Sequence, residues 1–282
     1  MESVAGRTMD RSSRVILSRP GIFQLDLGEV WRFRELLYFM AWRDIIVRYK
    51  QTAIGVGWAV IQPLITMIMF TLIFGVMARI PSDGVPYPVF AFAGLLPWTF
   101  FSQVLARGGN SVVGSANLVT KIYFPRLLLP LAATAAPAVD FLLSFLMLLV
   151  LMAWFHVAPT WHLLALPLFM GLAFMTAMAT TLWLSSLNVR YRDVGYVIPF
   201  MSQVWMYASP VVYPVSVIPE KWRPLYSLNP MVGVIEGFRW ALLGKGTPDF
   251  MVIAVSSSVV LALLMGGIVY FKRMEQTFAD II

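Results

Sequence analysis

The chain has 282 residues, 59% hydrophobic and 12% charged, with a mean hydropathy of +0.77; soluble domains carry about a quarter charged residues, so water is excluded as its main solvent. It contains no cysteine, which excludes disulfides, thiolate metal sites and thiol nucleophiles together. A formal net charge of +7 fits either nucleic acid or anionic lipid, and the positions of the charges decide between them.

Residues 1–27 carry Arg7, Arg11, Arg14 and Arg19 without the short apolar core of a signal peptide, and read as a basic cytoplasmic tail, disordered to about Ser18. Residues 28–50 read as an amphipathic helix lying in the membrane interface. Val30, Phe33, Leu37 and Met40 share one face, with Arg32 and Glu35 away from it. Arg34, Asp44 and Arg48 project near the apolar side, which predicts a break around Trp42 to Asp44.

Apolar runs follow at about 54–78, 85–106, 127–155, 163–187, 194–217 and 250–271. Crossing a bilayer takes about 20 apolar residues, so six spans are expected, the third interrupted by Asp140. Between the second and third lies a basic loop, 107–126. Before the last span, Pro210, Pro214, Pro219, Pro224 and Pro230 forbid a continuous helix. Met231 to Leu243 is too short to cross and apolar enough to dip into the bilayer, with Glu236 and Arg239 at i, i+3 spacing. Segment 218–246 therefore reads either as short re-entrant helices at the outer face or as an ordinary external loop.

Placing the N-terminus in the cytoplasm puts Arg32, Arg34, Arg43, Arg48, Lys50, Arg107, Lys121, Arg126, Arg190, Arg192, Lys272 and Arg273 inside with the tail. Arg79, Lys221, Arg223, Arg239 and Lys245 fall outside. The charge sorts with topology, both termini are expected in the cytoplasm, and nucleic-acid binding is not needed to explain it. The fold expected is an all-α membrane protein in one domain: six transmembrane helices, an N-terminal interfacial helix and short re-entrant external helices before the last span.

Chemistry is sparse. No Gly-rich loop followed by Lys and a hydroxyl residue is present to wrap a nucleotide phosphate; Gly244-Lys245-Gly246 reads as a turn. His156 and His162 flank one loop without the further ligands that zinc requires, and no Ser-His-acid set can be assembled. A secondary transporter usually places several ionisable groups in its spans, whereas here there is essentially Asp140. A carboxylate at mid-membrane costs about 2.5–3.5 kcal/mol on insertion scales, so it should face a partner helix or a wet cavity, as a polar contact or as a coupling site.

Four stretches carry a resemblance when taken together: WRDIIVRYKQT at 42–52, GWAVIQP at 57–63, NVRYRDV at 188–194 and NPMVGVIEGFR at 229–239. With LLPW at 95–98 and SPVVYP at 209–214, they resemble the membrane subunits of type-2 ABC polysaccharide exporters, the family of O-antigen, teichoic-acid and capsule export permeases. The resemblance implies a homodimer of six-span subunits in the bacterial inner membrane, exporting a polyprenyl-diphosphate-linked glycan. It also implies two copies of a separate ATPase that hold the ATP and magnesium, so this chain is not itself an enzyme and carries no cofactor.

It further implies a coupling helix in the loop after the second span. The expected piece is Ser115 to Tyr123, with Asn117, Thr120 and Lys121 for polar contact and Leu118, Ile122, Tyr123 and Phe124 for burial. The first and fifth spans become pore walls, which nominates Phe70, Phe74, Tyr196, Phe200, Trp205 and Tyr207 as slippery aromatic surface for sugars; the plain alternative is that they are packing or belt residues. Arg43, Arg48 and Lys50 are candidates for pairing with the lipid diphosphate, or for general attraction to anionic headgroups. Glu236 and Arg239 become part of an external gate. A permease for another lipid or drug is the nearest alternative function, and a membrane-embedded transferase a remoter one.

Overall fold

The computed structural model describes residues 27–50, 55–244 and 249–281, and every regular element among them is helical. The expected basic tail lies outside the described residues except for Leu27, as do Gln51 to Ile54 at the start of the first apolar run and Lys245.

Helix α1 (Leu27–Arg32) and helix α2 (Arg34–Tyr49) are separated by a single non-helical residue, Phe33, at φ −95 and ψ 21. The break expected at Trp42 to Asp44 is not there, because the charges that predicted it are accommodated. Arg43 donates twice to Asp44, and Arg48 reaches into the bundle. Helix α3 (Gly57–Phe70) runs on into a π-helical segment, Thr71–Met77. Pro63 inside α3 has no N–H for the carbonyl of Ala59, four residues back. The Ser144 hydroxyl donates to that oxygen at 2.9 Å, so the proline is matched to a neighbouring helix.

Helix α4 (Tyr87–Gly109) is followed by two short turns, α5 (Ser111–Gly114) and α6 (Ala116–Lys121), then α7 (Leu128–Ala132), α8 (Ala135–Trp154) and α9 (Leu166–Arg190). Helix α10 (Val194–Tyr207), the turn α11 (Arg223–Tyr226), α12 (Pro230–Leu243), α13 (Phe250–Glu275) and α14 (Phe278–Ile281) complete the chain.

Among the described residues, five segments are long and apolar enough to cross a membrane: Gly57–Met77, Tyr87–Gly109, Leu128–Trp154, Trp161–Arg190 and Phe250–Glu275. The run expected as the fifth of six spans, 194–217, is α-helical only through Tyr207, with a single 3-10 turn at Val215–Val217. The 14 residues of α10 rise about 21 Å, short of the roughly 30 Å hydrocarbon core, before Ala208–Pro214 turns without helix.

Helix α4 is the centre of the bundle: 78% of its apolar stretch is buried, against 17% for Gly57–Met77 and 22% for α13. Phe92, Phe101 and Leu105 of α4 meet Leu172 and Ala177 of α9, Phe141 of α8 and Phe238 of α12 in the main core. A second core gathers Met40 of α2, Val119 of α6, Leu128 of α7, Leu182 and Val189 of α9 and Phe271 and Phe278 near the C-terminus. This second core defines one end of the bundle, the α2 end. The opposite end carries α11, α12 and the proline-rich turns.

The apolar face read in α1 and α2 packs onto the second core through Val30, Phe33, Leu37 and Met40. The other side of these helices exposes Trp31, Tyr38, Phe39 and Trp42, the rings of Tyr38 and Trp42 stacked 6.3 Å apart. The segment is thus apolar on two sides, with one facing its own chain.

Candidate functional site

At the α2 end, Arg48 inserts its guanidinium between α4 and α8. Its Nε donates to Asp140 Oδ1 at 3.1 Å, its Nη2 pairs with Asp140 Oδ2, and Nη2 also donates to Gln103 Oε1 at 3.2 Å. The Tyr49 hydroxyl donates to the same carboxylate. Burial, and then the bond to Asp140, push the Tyr49 hydroxyl up to about 12, so it stays a donor at neutral pH. Asp140 is 3% exposed, and its charge is met by these neighbours. Of the cations expected near a lipid diphosphate, Arg48 is bound in this pair, Arg43 is held by Asp44 at 2.9 Å, and Lys50 is exposed. Arg43 and Arg48 line a common pocket with Arg107; Lys50 does not.

The expected coupling segment is the exposed edge of this end. Leu118 packs against the second core, which Val119 and Phe124 enter, so Leu118 and Phe124 are turned toward their own chain. Asn117, Thr120, Lys121, Ile122 and Tyr123 are exposed, Ile122 at 56% and Tyr123 at 77%, and Ser115 is half-buried at the junction of α5 and α6. Thr120 returns its hydroxyl to the carbonyl of Ala116. Tyr123 donates its hydroxyl to Glu29 Oε1 at 3.3 Å, tying the segment to α1, and the negative charge of Glu29 raises the Tyr123 hydroxyl above its ordinary value. Arg126 fastens the other side, its N–H to Glu275 Oε1 and its Nη1 to the Glu275 carbonyl.

The six nominated aromatics divide. Tyr196, Phe200 and Tyr207 are 85%, 70% and 50% exposed along one side of α10. Phe70 is buried in the main core, its ring 5.5 Å from half-buried Phe74. Trp205 packs edge-on against Phe101 and donates its Nε1–H to Asn229 Oδ1 at 2.9 Å.

Helix α10 buries few side chains, Ile198 and Ser202 among them, and is held at its ends by two asparagines to which sequence reasoning gave no role. Asn188 accepts from the Gly195 N–H at 3.0 Å and donates to the Gly109 carbonyl and to Asn110 Oδ1. Asn229 donates to the Ala208 carbonyl and Ser209 Oγ, and accepts from Trp205 and from the Met231 N–H as the N-cap of α12. The Asn-Pro step at 229–230 was a readable start signal for a helix. The clamp onto α10, more than 20 residues away, was not.

At the opposite end, Arg239 is 5% exposed. It donates to the carbonyls of Phe90, Pro210, Val211 and Tyr213, and its guanidinium lies 3.7 Å from the centre of the Phe90 ring. Those carbonyls include three from the turn after α10, where no helix supplies donors. A side chain on Gly94 would stand 2.8 Å from the Val211 carbonyl, so the glycine makes this approach possible. Glu236 is half-buried and faces a pocket of about 340 Å³ that also has Asp83, Arg223, Trp240 and Asp249 in its wall. The i, i+3 pair thus divides its work: Arg239 fastens the turn, and Glu236 looks into the pocket.

These features have counterparts in known proteins. A family model described as ABC-2 type transporter matches residues 35–243. The chain is 30% identical over 255 residues to the O-antigen export system permease protein RfbA of Myxococcus xanthus, covering 89% of this chain and 97% of that protein. It is 26% identical to the O-antigen export system permease protein RfbA of Klebsiella pneumoniae, over 88% of this chain and 95% of the relative. It is 23% identical to the polysialic acid transport protein KpsM of Escherichia coli, over 83% of this chain and 91% of the relative. By the family match across most of its length and the end-to-end likeness to these permeases, the chain belongs to the ABC-2 type transporter family.

Proposed function

We propose that this chain is the membrane permease subunit of a polysaccharide exporter, moving a polyprenyl-diphosphate-linked glycan of the O-antigen kind across the bacterial inner membrane. The observation that carries the reading is the likeness to export permeases over 97% of one relative's length. Its motor is a separate ATPase in two copies, which binds the ATP and magnesium, and the permease works as a homodimer. The α2 end faces the cytoplasm. Arg48, Arg107, Lys121, Arg126, Arg190, Lys272 and Arg273 gather there, as positive residues do on the inner side.

In this reading α10 and the turn after it complete a sixth crossing, and the exposed rings of Trp31, Tyr38 and Trp42 set α1 and α2 in the interface. Asn117, Thr120, Lys121, Ile122 and Tyr123 meet the ATPase, with Ser115 and Leu118 shaping the turn. The bonds of Tyr123 to Glu29 and of Arg126 to Glu275 carry its movement into α1 and α13. Tyr196, Phe200 and Tyr207 form slippery wall for sugar rings, Trp205 holds that wall from behind, and Phe70 and Phe74 pack the first span against the main core. Arg43, Arg48 and Lys50 stand where the lipid diphosphate approaches from the inner leaflet. Glu236 and Arg239 belong to the outer gate.

The test is ATPase activity of the co-purified complex in lipid. A lipid-linked glycan from the native cell should stimulate hydrolysis several-fold, and a free lipid or a drug-like amphiphile should not. Stimulation by the amphiphile alone would move the substrate to another class.

A further inference from the structure

A pocket of about 540 Å³ opens at the α2 end between α2, the last turn of α4, α5 and α7. Its size is that of ordinary ligand sites, about 300–1,000 Å³. Three arginines, Arg43, Arg48 and Arg107, and one carboxylate, Asp44, line it. Two of the arginines are already neutralised, Arg43 by Asp44 and Arg48 by Asp140. Arg107 is different: it is half-buried, and among the described residues its guanidinium makes no hydrogen bond and no ion pair. Arginine stays charged, and a partly desolvated charge without a partner is costly. An anion seated in the pocket would offset that cost.

The walls narrow the kind of anion. Val47, Leu129 and Ala133 give the pocket apolar sides next to the cations, and Val47 is 72% exposed on α2. A ligand with both a compact negative head and an apolar tail fits this arrangement. A guanidinium fork matches phosphate oxygens in two parallel bonds. We propose that this pocket binds the phosphate group of a lipid, with Arg107 as its principal ligand and Arg43 as a second, exchangeable one. Arg48, fixed on Asp140, holds α2 against the pocket. The diphosphate of the exported lipid-linked glycan and the headgroup of a bilayer phospholipid share this chemistry. The first of these sources rests on the function proposed above.

The experiment uses the intact complex of permease and ATPase in nanodiscs of phosphatidylcholine, with binding of a fluorescent polyprenyl diphosphate and of phosphatidylglycerol measured separately. Arg107→Gln should weaken binding about tenfold, the effect of one lost charged contact. Gly114→Glu provides an independent variant. Gly114 lines the pocket and an added Cβ there meets nothing within 4 Å, so a carboxylate can be introduced without a clash, and it should weaken binding as much. Lys221→Gln removes an equal charge at the exposed opposite end and should change neither affinity. Weakened diphosphate binding assigns the pocket to the exported lipid. Weakened phosphatidylglycerol binding alone assigns it to the bilayer. Wild-type complex that binds phosphatidylglycerol but no polyprenyl diphosphate removes the carrier named in the proposed function and leaves the pocket standing. Unchanged affinity of both lipids for both Arg107→Gln and Gly114→Glu overturns the pocket.

Discussion

Asp140 lies inside an apolar run where a lone carboxylate would be expensive, and its partners lie 91 and 92 residues earlier in the chain. Breaking a buried pair on one side costs about 3–5 kcal/mol, because the remaining charge is left without compensation. Asp140→Asn should therefore lower the unfolding midpoint of the detergent-solubilised permease and reduce the amount that assembles. Arg48→Gln combined with Asp140→Asn should recover much of the loss, since no unpaired charge stays behind. Static light scattering during a thermal ramp measures both. If Asp140→Asn abolished transport with the midpoint and assembly unchanged, the carboxylate would be a coupling group and not a structural one. The sequence exposed the cost of Asp140 but could not name Arg48, because a pairing across 92 residues leaves no mark in local spacing.

At the scale of elements, long apolar helices were readable because composition alone forces them: without water, each backbone N–H and C=O must be satisfied within its own segment. The apolar face of α1 and α2 was readable too, through its 3.6-residue period. Its partner was not, since packing on a second core and burial in lipid demand the same pattern. The end of α10 at Tyr207 was hidden for a related reason. The residues from Ala208 to Pro214 stay largely apolar while losing helix, and Arg239, far along the chain, supplies the missing donors. The short α6 could be located by its loop, yet which side chains remained outward depended on the core beneath it. With Leu118 and Phe124 turned inward, Lys121, Ile122 and Tyr123 are left exposed, as the proposed ATPase contact requires. Lys121→Glu should then cut ATPase recovery in a pull-down several-fold without lowering the amount of permease in the membrane. Equal recovery would place the ATPase contact elsewhere on this end.

For the whole molecule, the question is which outer faces meet lipid and which, in the homodimer proposed above, meet a second copy. The bundle buries α4 and leaves α3, α10, α8 and α13 with outward apolar surface. Aliphatic surface, such as Leu142, Leu146 and Val150 of α8, is content in hydrocarbon. The α10 side differs: its aromatics are spaced along a helix short of a full crossing and clamped at both ends by Asn188 and Asn229. A clamped, half-unburied helix suits a wall that must hold its position while a polymer slides along it. Symmetric pairing of two copies would bring their α10 sides toward a common axis. The chain has no cysteine, so single substitutions can be read without background. Tyr196→Cys and Phe200→Cys should react with a water-soluble thiol reagent, and Phe200→Cys should give a dimer with a bifunctional crosslinker. Phe70→Cys and Trp205→Cys should stay unlabelled in the folded permease, as their side chains pack inside one subunit. Leu146→Cys, 59% exposed on α8, should react with a lipid-soluble reagent alone and give no crosslink. Crosslinking through Leu146→Cys and not through Phe200→Cys would turn the dimer inside out and put the α10 aromatics in lipid.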